Sequence, residues 1–165
     1  MPNLSHLIQQ RRKHADRLAN QNGAAGENHV LSDSSVYVPR PTGQKLANII
    51  QALAATGIAI KKSSFDAIAL PEGVTIDFAD ISSIERHLES LTFIEIKTAT
   101  QSRVKDDFSG FFFAFTEGEL LAAEALGQRH KVLLVNKTTG ISLMTSVPEI
   151  LARARSQTWQ VSVQL

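Results

Sequence analysis

The segment Phe93-Ile94-Glu95-Ile96-Lys97 sets a carboxylate and an ammonium two positions apart inside an apolar run. Successive side chains of a strand point to opposite faces, so Phe93, Glu95 and Lys97 share one side and Ile94 and Ile96 the other. Charges are costly to bury unless paired, so this run holds either a same-face ion pair or a reactive site. Asp66 stands in a similar setting, Phe65-Asp66-Ala67-Ile68. If the two segments are neighbouring strands, Asp66 and Glu95 converge. Two carboxylates and a backbone carbonyl are hard oxygen donors of the kind that Mg²⁺ or Mn²⁺ takes. Lys97 would reach the same point as a cation, orienting water or stabilising phosphate charge. Phosphodiester hydrolysis uses these parts: a metal that polarises the phosphate and acidifies its bound water, acids that hold it, and a lysine for the charge of the transition state.

The elements that must position these groups follow from periodicity. Thr42 can cap a helix whose Leu46, Ile49, Ile50 and Leu53 form one face, with Gly57 as its stop. Strands are expected at 58–60, at 65–70 with Phe65, Ala67 and Ala69 on one face, and at 74–78. Ser82-x-x-Glu85 reads as a capping box for a helix over 82–90, followed by a strand at 92–98. Phe111–Phe115 reads as a buried strand. Thr116-x-x-Glu119 is a second capping box, opening a helix that stops at Gly127. Strands at 131–136 and 141–145 pair around Thr139-Gly140. Pro148 opens a helix to about Arg155, and a strand closes the chain over 159–165. The order predicts the α/β class: a mixed central sheet flanked by helices.

Asp66 followed by Glu95-Ile96-Lys97 resembles the PD-(D/E)XK nuclease superfamily, with its restriction-endonuclease-like fold. Residues 44–136 are similar in order to that family's helix, three strands, helix, strand core. The resemblance implies Asp66 and Glu95 as metal-binding acids, the carbonyl of Ile96 as a further ligand, and Lys97 as the catalytic lysine. It implies a Mg²⁺- or Mn²⁺-dependent nuclease (an endonuclease or an exonuclease) acting on nucleic acid, DNA rather than RNA, within a domain over 42–165. The separation of 29 positions from Asp66 to Glu95 requires an insertion, and no proline directly precedes Asp66. The alternative reading is a non-catalytic nucleic-acid-binding or assembly module that keeps the fold. A homodimer would supply the two sites that cutting a duplex needs.

Asp77 and Asp80 lie nearer to Glu95 in sequence and compete with Asp66 as the acid that completes the site; Asp80 also suits a helix start. Thr98, Gln101, Arg103 and Lys105 follow the motif and are candidate substrate contacts, while Thr98 is equally an ordinary strand residue. Glu117 and Glu119 could reach a metal, but capping already accounts for Glu119. The five histidines show no metal-ligand spacing and read as surface residues. Thr42-Gly43-Gln44-Lys45 lacks the upstream glycine of a phosphate loop.

Composition bounds these readings. Of 165 residues, 43% are hydrophobic and 20% charged, enough for one sizeable core. Without cysteine there is neither a disulfide nor a thiolate zinc site. No apolar run approaches the ~18 residues of a membrane span, and no secretory leader is visible, which points to the cytoplasm. The net charge of +1 is unevenly placed: Arg11, Arg12, Lys13 and Arg17 face Asp16 alone within residues 1–20. There Leu4, Ile8, Ala15 and Leu18 have helical spacing, predicting a basic amphipathic arm joined to the body by a linker over 21–41.

Overall fold

Among the described residues, the sheet that carries the two motif segments has five strands in chain order: β1 (Tyr37–Pro39), β2 (Ala67–Ala69), β3 (Thr92–Ala99), β4 (His130–Asn136) and β5 (Ser142–Thr145). The structure is a computed structural model and describes residues 37–158. The arm over residues 1–20, most of the expected linker and the strand expected over 159–165 lie outside the described residues. β3 and β4 are parallel and the other neighbours antiparallel. A parallel pair needs a crossover, and helix α3 (Glu117–Leu126) supplies it. The other helices are α1 (Gly43–Ala55), α2 (Ile81–His87) and α4 (Val147–Arg153). The class is α/β with a mixed sheet, as expected. Among the described residues, no helix is long and apolar enough to cross a membrane.

Local chemistry explains most boundaries. In α1, Leu46, Ile49 and Leu53 form the buried stripe, while Thr42 sits at the N-cap without a side-chain cap bond. Gly57, at φ 85°, follows the helix where a side chain would be strained. α2 is capped by Asp80, whose Oδ1 accepts the Ser82 amide at 3.0 Å, so the cap lies two residues before the expected one. A 3₁₀ turn over Leu88–Ser90 completes that helix. α3 begins on the expected box: Thr116 Oγ1 accepts the Glu119 amide at 3.2 Å, and Glu119 Oε2 accepts the Thr116 amide at 2.9 Å. α4 is capped by Ser146, with Pro148 in its first turn, and stops at Arg153.

Five expectations are corrected. Tyr37–Pro39, within the expected linker, pair with β2, so the body begins no later than Tyr37 instead of Thr42; Pro39 suits an edge strand, which can spare its N–H. Residues 58–60 and 74–78 are not strands. Both edges of β2 are already taken by β1 and β3, so Ile58, Ile60, Ile76 and Phe78 pack into the core from irregular backbone. Residues 111–115 alternate as a strand would, but without strand pairing: Phe111, Phe113 and Phe115 pack inward, while Phe112 is 73% exposed. Phe65 precedes β2 proper and shares a cluster with Ile68, while Ala67 is buried on the other side of the sheet; the Phe65 ring lies 5.1 Å from that of Phe93.

Two apolar clusters lie on the face of β3 that carries Phe93. The first joins Phe65, Ile68 and Phe93 to α1, α2 and the Ala122 and Leu126 side of α3. The second joins Ala99, Val132 and Leu134 to the phenylalanine segment and α4. Fully burying one Leu, Ile or Phe side chain contributes roughly 1.5–3 kcal/mol, so these clusters can absorb the cost of charge between them. Glu95 and Lys97 occupy that seam, since strand alternation sets them between Phe93 and Ala99. Ile94 and Ile96 face the other side, in a third cluster with Ala67, Leu133 and Val135.

Candidate active site

Asp66 reaches Glu95 through strand register. Ala67 stands opposite Ile94, and the Asp66 amide also donates to Ile94 O at 2.8 Å, which holds Asp66 at the end of the β2–β3 ladder, near Glu95. There the chain turns away, and the Ile96 amide, on the same edge of β3, has no strand left to bond. Asp66 Oδ2 accepts it instead, at 2.8 Å. In a strand the N–H and C=O of one residue point to the same side, so the Ile96 carbonyl opens toward the same gap. Arg40 secures the corner: its amide donates to Asp66 O at 2.8 Å, its Nη1 to Phe65 O at 2.6 Å, and Nη1 lies 3.9 Å from Asp66 Oδ1.

Two positions along β3, Lys97 Nζ sits 2.7 Å from Glu95 Oε1 and 3.0 Å from Glu119 Oε2. The Phe115 ring lies beneath it, 5.3 Å from ring centroid to Nζ. Glu95 is 4% exposed, and its second oxygen, Oε2, is buried with no hydrogen-bond partner among the described residues. Burial, reinforced by the charges of Asp66 and Glu119 against that of Lys97, pushes the Glu95 carboxyl up to about 9. Burial also raises Asp66, against the Ile96 amide, Arg40, a hydrogen bond with Glu95, and Lys97. For Lys97 burial acts downward, but the carboxylates of Glu95 and Glu119 outweigh it and hold the ammonium above its usual range. The site crowds three carboxyl groups around one ammonium in a poorly solvated place, which opposes ionisation of Glu95 and Asp66.

The competing acids stand elsewhere. Asp77 Oδ1 accepts the Ala79 amide at 2.9 Å, and Asp80 caps α2; both are exposed, in the turn before that helix. Thr98 projects from the opposite face of β3 to Lys97, so it does not join the cluster. Gln101, Arg103 and Lys105 lie in the exposed loop after β3, where Arg103 Nε donates to Gln101 Oε1 at 3.2 Å. Glu117 is exposed, 3.9 Å from Lys61.

Three residues have roles that spacing did not reveal. Arg40 fell within the expected linker, where nothing in its neighbours marks it. Glu119 is both a cap and a partner of Lys97. His130, expected at the surface, is 2% exposed with neither ring nitrogen hydrogen-bonded among the described residues. It lies across from Phe93 on the inward face of β4, and burial depresses its basicity. The alternation His130-x-Val132-x-Leu134 is the signal that would have placed it inside.

The donor set suits a hard divalent cation. Mg²⁺ is held by one or two carboxylates with several waters, and Asp66, Glu95 and the Ile96 carbonyl supply such ligands on one edge. The unpartnered Glu95 Oε2 is a buried acceptor that a cation would satisfy, and a cation would favour the ionised carboxylates that burial opposes. Among the described residues no group of three His, Cys, Asp or Glu side chains is arranged to hold a metal, so an ion bound there would need the carbonyl and water to complete its shell. No protein-family profile, characterised protein or solved structure matches the chain.

Proposed function

We propose that this chain is a metal-dependent nuclease hydrolysing phosphodiester bonds, with DNA as its substrate on the strength of the PD-(D/E)XK resemblance. The observation that carries the reading is the juxtaposition of Asp66 and Glu95 at the end of β2, with the Ile96 carbonyl on the same edge and Lys97 pinned beside them. A bound Mg²⁺ or Mn²⁺ would be held by those two carboxylates and that carbonyl, and would supply Lewis-acid activation of water and phosphate. The protein's own groups orient and balance charge. Arg40 and the Ile96 amide hold Asp66 in place, and Lys97 presents a fixed cation toward the phosphate, where negative charge grows in the transition state. The antiparallel β2–β3 pair, continued by a parallel β4 through α3, supports the resemblance in its second half.

Calorimetric titration with Mn²⁺, together with incubation of plasmid and linear DNA with Mg²⁺, tests the reading. Binding at the site and strand cleavage that a chelator abolishes are expected. Tight DNA binding without cleavage would favour a non-catalytic module, and absence of both metal binding and cleavage would overturn the nuclease reading.

A further inference from the structure

α3 opens with two glutamates that meet very different surroundings. Glu117 is solvent-exposed and pairs loosely with Lys61. Glu119 is 7% exposed, and its Oε2 serves two donors, the Thr116 amide at 2.9 Å and Lys97 Nζ at 3.0 Å. Capping explains only the first of these bonds. A capping box is satisfied by glutamine as well as glutamate, so the helix start does not require a buried negative charge there. The ammonium does. Lysine has a long, flexible stem, and Glu95 alone would leave Nζ tethered from one side, by a carboxylate that the proposed function assigns to a metal.

We propose that Glu119 is a positioning residue of the candidate site, holding Lys97 Nζ from the side of α3 so that the ammonium does not depend on Glu95 alone. The inference rests on the proposed nuclease function for its kinetic consequence, but not for its geometry. The capping box thereby ties the crossover helix to β3: the turn that starts α3 also fixes the cation. The Phe115 ring closes another side of Nζ, and the two glutamates are its only charged partners among the described residues.

Glu119→Gln separates the two roles, because the amide oxygen keeps the cap while the charge is lost. Thr116→Val is its counterpart, removing the hydroxyl half of the box and leaving the carboxylate. In Glu119→Gln we expect kcat to fall roughly ten- to a hundredfold, the scale of a misplaced group, with KM and melting temperature near wild type. In Thr116→Val we expect a lower melting temperature with kcat retained. Wild-type kcat in Glu119→Gln, or losses of kcat that merely follow melting temperature in both variants, would overturn the proposal. A second readout needs no activity: the ¹⁵N-labelled Lys97 ammonium should give a sharp, exchange-protected signal in the wild type and Thr116→Val, broadened in Glu119→Gln. If the wild type cuts nothing, the nuclease reading fails while this signal still decides the positioning. An unchanged signal in Glu119→Gln overturns it.

Discussion

The seam between the two apolar clusters and the loop after β3 are both rich in charge, yet the charges behave oppositely. At the seam, Glu95 and Glu119 are buried, Asp66 and Lys97 are partly buried, and Lys97 touches both glutamates. In the loop, Arg103, Lys105, Asp106 and Asp107 are exposed, and Asp107 is occupied with its own turn through the Ser109 amide and hydroxyl. Charge in water is nearly free, whereas buried charge must be matched. The seam is therefore where the fold gives up stability to keep charge inside, and the loop is where charge meets solvent without strain.

The largest expected effect follows from removing the centre of the seam. Lys97→Ala leaves Glu95 and Glu119 facing each other without their cation, and breaking a buried pair in this way costs about 3–5 kcal/mol. Cleavage should be abolished and the melting temperature lowered by many degrees; the double variant Arg103→Ala/Lys105→Ala should melt within a degree or two of wild type. Equal melting temperatures for the two proteins would erase the contrast.

Next in size is the choice of acid. Asp66→Asn should weaken Mn²⁺ binding by more than about tenfold, as the loss of one ligand charge entails. Asp77→Asn and Asp80→Asn should leave it unchanged, and Asp80→Asn should also keep α2 capped, since asparagine caps as well as aspartate. Calorimetry on the three variants decides between them; damage from Asp77→Asn instead would move the site to the turn before α2.

A pH series sharpens the meaning of burial. The Glu95 carboxyl is raised from 4.5 to about 9, so the fold retains a proton that the unfolded chain releases. That stability is present in full below about 4.5 and is lost as pH rises through about 9. Glu95→Gln removes the titration, so its melting temperature should gain on wild type steadily across this window, while its Mn²⁺ binding is lost. A constant difference between the two proteins from pH 5 to 9 would mean that Glu95 ionises freely. Mg²⁺ should flatten the wild-type slope, because metal binding favours the ionised acid.

The smallest effect belongs to the loop. If Arg103 and Lys105 meet a DNA backbone, the double alanine variant should reduce the salt dependence of binding by roughly two units of log–log slope, about 0.9 per phosphate. Filter binding from low to moderate salt measures this, and an unchanged slope would leave the loop a solvated surface.

Local rules carried the sequence reading a long way. The Thr116–Glu119 box, Pro148 in the first turn of α4, the stripe of Leu46, Ile49 and Leu53, and the shared face of Glu95 and Lys97 all depend on residues within a few positions of each other. Each was legible because capping and periodicity are short-range properties. The strands expected at 58–60, 74–78 and 111–115 had the right burial but joined no edge of the sheet, and which edges are filled is a property of the whole sheet. The choice of Asp66 over Asp77 and Asp80 depended on the β2–β3 register, and the second role of Glu119 on how α3 docks against β3. His130 became a core residue because β4 lies beside Phe93, and Arg40 a buttress because β1 returns along β2. By itself, then, the sequence determined which groups could do chemistry and which way they face on their own element. Only tertiary structure decided which of them meet, because contacts between groups dozens of residues apart are set by register and helix docking.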